Sequence, residues 1–196
     1  MPFINQASRE ISLKIVYYGP GLGGKTTNVQ HLHDRTHEGA KGRLVSLKTE
    51  SDRTLYFDFL PLEIGSIAGF RTRLQLYTVP GQVFYRASRR LILRGLDGVV
   101  FVADSQQDRL DANVESMADL ADNLDEYGRS LASLPLVIQY NKRDLGGIVP
   151  LPELRAALNP GGAPEVEAAA ASGQGVFETL KMVSRRVLLE LKSRRP

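Results

Sequence analysis

The chain has 196 residues, 42% of them hydrophobic and 24% charged, a formal net charge of +3 at pH 7, and no cysteine. That balance lets a core of ordinary size be buried, so a folded chain is expected, and the length predicts one domain, 1–196. Without cysteine there is no disulfide, thiolate metal site, prenylation or palmitoylation, and Pro2 rules out N-myristoylation, so no lipid anchor is expected. The first residues lack the basic and apolar regions of a signal peptide, and no run reaches the roughly 18 apolar residues that span a bilayer, so a cytoplasmic protein is expected.

Residues 11–18 are β-branched and aromatic and predict a strand, followed by a Gly/Pro cluster at 19–24 and a helix from Thr26 to about Asp34. Residues 35–53 are polar and aperiodic, a loop long enough to suggest a functional role. Strands at 55–60 and 71–77, joined by a turn segment with Gly65 and Gly69, predict an antiparallel hairpin. After an irregular stretch at 78–82 comes a helix ending near Arg94, then a buried strand at 99–103. Leu110, Val114, Met117, Ala121 and Leu124 recur at helical spacing over 109–127. A strand at 136–139 runs up to Asn141, a weak one spans about 165–169, and Val176, Leu180, Val183, Val187 and Leu191 mark a terminal helix. The order predicts an α/β fold, a mostly parallel six-stranded sheet with one antiparallel hairpin and helices on both faces. Lys181, Arg185, Arg186, Lys192, Arg194 and Arg195 crowd the last helix, which reads as a soluble helix end favoured by the macrodipole. No nucleic-acid partner is expected. His31, His33 and His37 read likewise as a solvated helix end rather than a metal site.

Gly19-Pro-Gly-Leu-Gly-Gly-Lys25-Thr26 fits G-x-x-x-x-G-K-[ST] directly after a strand and before a helix. Glycines let successive N–H groups converge on phosphate oxygens, and the helix adds its positive N-terminal end. Gly21, Leu22, Gly23, Gly24, Lys25, Thr26 and Thr27 are the candidate phosphate-binding residues. Lys25 can reach the β- and γ-phosphates, and the Thr26 hydroxyl can ligate Mg²⁺. Asn141-Lys-Arg-Asp144, after the strand at 136–139, selects the base. The Asp144 carboxylate can accept from both N1–H and the exocyclic amino group of guanine, whereas adenine presents an acceptor there. The Lys142 stem can cover the base, and Asn141 can tie this loop to the phosphate loop.

With the P-G-Q segment at 80–82, these motifs resemble the Ras-like small GTPases across nearly the whole chain. Lys14-Ile-Val-Tyr-Tyr-Gly-Pro-Gly21, Arg53-Thr-Leu-Tyr-Phe-Asp-Phe-Leu-Pro61 and Leu76-Tyr-Thr-Val-Pro-Gly-Gln-Val-Phe-Tyr85 resemble more closely the MglA-type GTPases of bacterial polarity and gliding motility. The resemblance implies a GTP/GDP site with Mg²⁺ held by Thr26 and Thr54. It also implies a Gly81 N–H that senses the γ-phosphate, Gln82 orienting the attacking water, and Arg53 as an arginine finger supplied in cis. Two departures accompany it. Thr78 stands where most Ras-like proteins carry the Asp of D-x-x-G, and Ala169-Ala-Ala171 replaces S-A-K, so Ala170 and Ala171 offer only backbone contacts to guanine. An activating Roadblock-type dimer, polarity and motility effectors and recruitment to a cell pole are further expectations from the resemblance. The alternative is a GTP-loaded scaffold or polarity marker with negligible hydrolysis. An adenylate-using P-loop kinase is disfavoured by Asn141–Asp144.

Overall fold

A computed structural model describes residues 3–48, 54–81 and 86–193. The elements in chain order are β1 (Phe3–Asn5), β2 (Glu10–Tyr18), α1 (Lys25–Arg35), β3 (Val45–Lys48), β4 (Thr54–Ile67), β5 (Phe70–Thr78), α2 (Arg86–Leu93), β6 (Gly98–Asp104), α3 (Leu110–Asp125), β7 (Leu136–Asn141), α4 (Leu151–Leu158), β8 (Glu165–Glu167) and α5 (Val176–Ser193). One sheet runs β3-β4-β5-β2-β6-β7-β8, with β1 paired to the start of β2. Strands β5, β2, β6, β7 and β8 are parallel, and β3–β4, β4–β5 and β1–β2 are antiparallel.

Among the described residues the strands number eight, exceeding the expected six by two short antiparallel ones, β1 and β3. Neither has a pattern of its own. The four residues of β3 fall inside the predicted polar loop and are strand because β4 offers them a hydrogen-bonding edge. Strand β4 is also longer than expected. It continues through Gly65 with an irregular register between Glu63 and Ser66, and the chain reverses at Ala68 and Gly69, at φ 50° and 80°. Two consecutive left-handed residues are what a two-residue hairpin turn requires. Helix α4 went unread because Pro150 and Pro152 resemble breakers, yet proline is tolerated in a first helical turn, where the N–H has no partner.

Two apolar cores flank the sheet. On one face Val29 and Leu32 of α1 and Val176, Leu180, Val183 and Val187 of α5 pack on Ile11, Leu13, Ile15 and Tyr17. On the other, Leu93, Leu120, Leu124, Leu154 and Leu158 pack on Val16, Tyr18, Val99, Phe101 and Ala103. All seven residues of β6 are buried, as a central parallel strand covered on both sides must be. A Cβ on Gly98 would lie 2.6 Å from Val187 Cγ2, so α5 approaches the sheet only over glycine. The parallel strands leave their C-terminal loops at one edge of the sheet, where ligands of open α/β sheets bind. Among the described residues no helix is long and apolar enough to cross a membrane.

Candidate nucleotide-binding site

The loop after β2 enters α1 through Gly24, at φ 98°. A Cβ there would lie 2.2 Å from Asn141 Nδ2, so glycine meets a conformational and a steric demand together. Asn141 is the tie that the sequence predicts. Its Nδ2 donates to Gly23 O at 2.9 Å, and its Oδ1 accepts from the Ala170 N–H at 2.9 Å. Beneath the loop, Asn28, Gln139 and Thr179 form a fully buried network that reaches Gly24 O through Asn28 Nδ2 at 2.9 Å. Side chains from α1, β7 and α5 therefore meet around the phosphate loop through satisfied polar groups, which holds it in one shape.

Lys25 opens α1 and is buried, its Nζ donating to Gly19 O at 2.9 Å and Pro20 O at 2.7 Å. Burial, with Arg89 and Arg109 nearby, pushes its pKa down to about 7 against the opposing pull of Asp58. Burial charges a cost that an anionic partner at this spot would offset.

Asp58, the residue that sequence reasoning missed, comes from β4. It is buried, and Oδ2 accepts from Thr26 Oγ1 at 2.6 Å and from Thr78 Oγ1 at 2.8 Å. Ser46 Oγ donates to Oδ1, and the Asp58 N–H donates back to Thr78 Oγ1 at 2.8 Å. A carboxylate thus sits against Thr26, which the resemblance assigns to Mg²⁺, and against Thr78, the residue in place of the D-x-x-G acid. The signal was a lone acid in the apolar run Phe57-Asp58-Phe59. The oxygens of Thr26, Thr78 and Asp58 suit a hard cation that also takes phosphate and water oxygens. Among the described residues no group of three or more His, Cys, Asp and Glu could hold a metal without such help. His37 Nδ1 instead accepts from the Gly39 N–H at 3.2 Å.

Gly81 lies against the phosphate loop: a Cβ on it would come within 2.4 Å of Gly21 Cα. Thr27 is half-buried in the first turn of α1. Leu22 is exposed and left-handed, at φ 64°. On the base side Asp144 is exposed, and Lys142 holds φ 65° while its Nζ donates to the buried Asp104 at 2.6 Å. Ala170 is buried, with its N–H committed to Asn141, and acts as a tie, whereas Ala171 is exposed at the rim. Arg53 and Gln82 lie outside the described residues, as does the side chain of Thr54.

No protein-family model matches the chain. Mutual gliding-motility protein MglA of Myxococcus xanthus (strain DK1622) is 62% identical to it over 192 residues, 98% of each chain. The chain belongs to the MglA family. MglA proteins are small GTPases of Ras-like fold, in agreement with the doubly covered, mostly parallel sheet and the two nucleotide motifs at its C-terminal edge. The chain is accordingly a GTP hydrolase with a guanine-nucleotide site.

Proposed function

We propose that this MglA-family chain is the switch of a bacterial polarity and gliding-motility system, cycling between GTP and GDP with Mg²⁺. The observation that carries the reading is the junction at Asn141, which joins the phosphate loop and the guanine loop through two 2.9 Å hydrogen bonds. In this reading the backbone N–H groups of Gly21, Leu22, Gly23 and Gly24 receive the phosphates, and Lys25 turns from its own loop carbonyls to the β- and γ-phosphates. Thr26 and Thr54 would hold Mg²⁺, with Asp58 and Thr78 beside Thr26, and the ion would supply charge neutralisation on the phosphates. Asp144 and Lys142 hold guanine, and the Gly81 N–H reports the γ-phosphate.

Gln82 orients the water that attacks the γ-phosphorus in line. The bond to the β–γ bridging oxygen breaks, leaving GDP and inorganic phosphate. Arg53 stabilises the charge that develops. The activator is a Roadblock-type (MglB-like) dimer that presses the switch loops into register instead of inserting an arginine, and it recruits the GTP form to a cell pole for polarity and motility effectors.

The experiment is single-turnover hydrolysis of GTP with Mg²⁺, with and without a Roadblock-type partner, with ATP as control. Arg53→Ala should slow the stimulated reaction roughly 10³-fold while GTP affinity stays nearly intact. Unchanged stimulated turnover in that variant sinks the finger assignment. Retention of ATP in place of GTP sinks the base assignment.

A further inference from the structure

Asp104 ends β6 with no solvent exposure, and its carboxylate is a junction. Lys142 Nζ donates to Oδ2 at 2.6 Å, Arg109 Nε lies 3.8 Å from the same oxygen, and the Gln106 N–H reaches Oδ1 at 3.2 Å. The Asn113 side chain pins the Asp104 backbone from both sides, accepting from its N–H at 2.8 Å and donating to its carbonyl at 2.7 Å. Arg109 then reaches the phosphate loop, where Nη2 donates to Gly21 O at 2.7 Å. A chain of charged contacts therefore runs from Lys142 in the guanine loop, through Asp104 and Arg109, to Gly21.

We propose that Asp104 and Arg109 form a second strut between the phosphate and guanine loops, with Arg109 a positioning residue that sets how long a nucleotide stays bound. The proposal rests on the guanine-nucleotide reading of this site. The first strut, from Asn141, grips Gly23 O, and the second grips Gly21 O, two residues earlier. In a trans peptide the carbonyl and the following N–H point opposite ways. Holding the Gly21 and Gly23 carbonyls against the struts therefore turns the Leu22 and Gly24 N–H groups toward the other side, where phosphate oxygens are received. Two left-handed residues lie beside these contacts. Leu22 at φ 64° and Lys142 at φ 65° both hold a left-handed backbone that residues with a Cβ adopt at a cost, and such strain persists only where neighbours over-determine it. Arg109 supplies that restraint at Leu22, and Asp104 supplies it at Lys142. Removing the guanidinium frees the Leu22 peptide to rotate and loosens the base loop through Asp104.

The test uses the full chain with Mg²⁺ and GDP carrying an N-methylanthraniloyl fluorophore, with release followed by stopped-flow displacement. Arg109→Ala should release it roughly ten- to a hundredfold faster, as expected for loss of a charged hydrogen bond. Arg109→Lys should recover part of the difference, because one point donor still reaches Gly21 O. Asp104→Asn combined with Arg109→Ala should accelerate release by less than the product of the two single effects, since both act on one strut. Release by Arg109→Ala within twofold of the unsubstituted chain, or multiplying effects in the double variant, overturns the strut. So does a lowered thermal midpoint with unchanged release, the mark of a merely structural role. Should Asp104→Asn fail to fold, the partly exposed Arg109 variants decide alone. Failure of the unsubstituted chain to retain the labelled GDP overturns the nucleotide reading itself, a result distinct from any of these.

Discussion

Asp58, the fifth residue of β4, accepts a 2.6 Å hydrogen bond from the Thr26 hydroxyl at the start of α1, although the two are 32 residues apart. The same carboxylate oxygen accepts from Thr78. The negative charge that most Ras-like proteins place at position 78 is here delivered from the neighbouring antiparallel strand, and Thr78 serves as its hydrogen-bonding partner. Asp58→Asn should raise the Mg²⁺ concentration that slows nucleotide release by roughly ten- to a hundredfold, the usual cost of losing a residue that orients metal ligands. A magnesium titration of GDP release measures it, and Thr78→Asp in the Asp58→Asn background should restore part of the loss.

The phosphate-loop lysine makes stability depend on pH. Folding lowers the Lys25 pKa from 10.5 to about 7, so between those values the unfolded chain binds the extra proton. Stability of nucleotide-stripped protein should therefore rise with pH from about 7 towards 10.5, with a contribution of up to ~1.4 kcal/mol per pH unit from this group. Saturating GDP should flatten the slope, because phosphate beside Nζ favours the charged form. Thermal midpoints across that range, compared with Lys25→Met, check both statements.

Gly24→Ala should damage both loops. The substitution adds a left-handed backbone penalty of about 1 kcal/mol and places a Cβ 2.2 Å from Asn141 Nδ2, displacing the side chain that ties Gly23 to Ala170. GDP affinity should fall more than ~tenfold, since each ~1.4 kcal/mol is a factor of ten. Titration calorimetry reads the change, and Gly162→Ala, also left-handed but with open space around it, supplies a control for backbone strain alone.

Helix α2 is clamped to α3 by a polar cluster. Arg89 Nε lies 3.0 Å from Asp119 Oδ2, the Tyr18 hydroxyl donates to that oxygen, and Asn123 Nδ2 donates to Tyr18 Oη at 3.2 Å. Arg89 Nη1 also reaches Pro80 O at 3.5 Å, next to Gly81. Asp119→Ala leaves the guanidinium buried without this carboxylate. The expected cost is about 2–4 kcal/mol, below the full price of a buried pair because Asp119 is 22% exposed. A fall in thermal midpoint of roughly 5–15 °C should follow, and a smaller fall for Arg89→Met with Asp119→Leu would show that the buried guanidinium deprived of this carboxylate is what costs.

The candidate site was legible wherever its chemistry needs contiguous residues. The phosphate loop and Asn141-Lys-Arg-Asp144 are each one loop, whose glycines, lysine and carboxylate carry the requirement locally. Asp58, Asp104 and Arg109 were not legible, because each acts on a residue far along the chain. A lone acid or arginine in a strand or loop has no local pattern to distinguish it. The fold divides in the same way. The all-buried β6 and the amphipathic α3 and α5 show their periodicity directly. Strands β1 and β3 are strand only because β2 and β4 offer them an edge.

The sequence by itself determined the α/β order and the two motif loops that point to a guanine nucleotide, because helix and strand periodicity and glycine-rich loop chemistry are local properties of consecutive residues. Only the tertiary structure decided which acid faces Thr26 and Thr78 and how the two motif loops are braced. Those answers depend on which strands pair. Pairing β4 beside β5 puts Asp58 against Thr78, and ending β6 next to β7 puts Asp104 against Lys142.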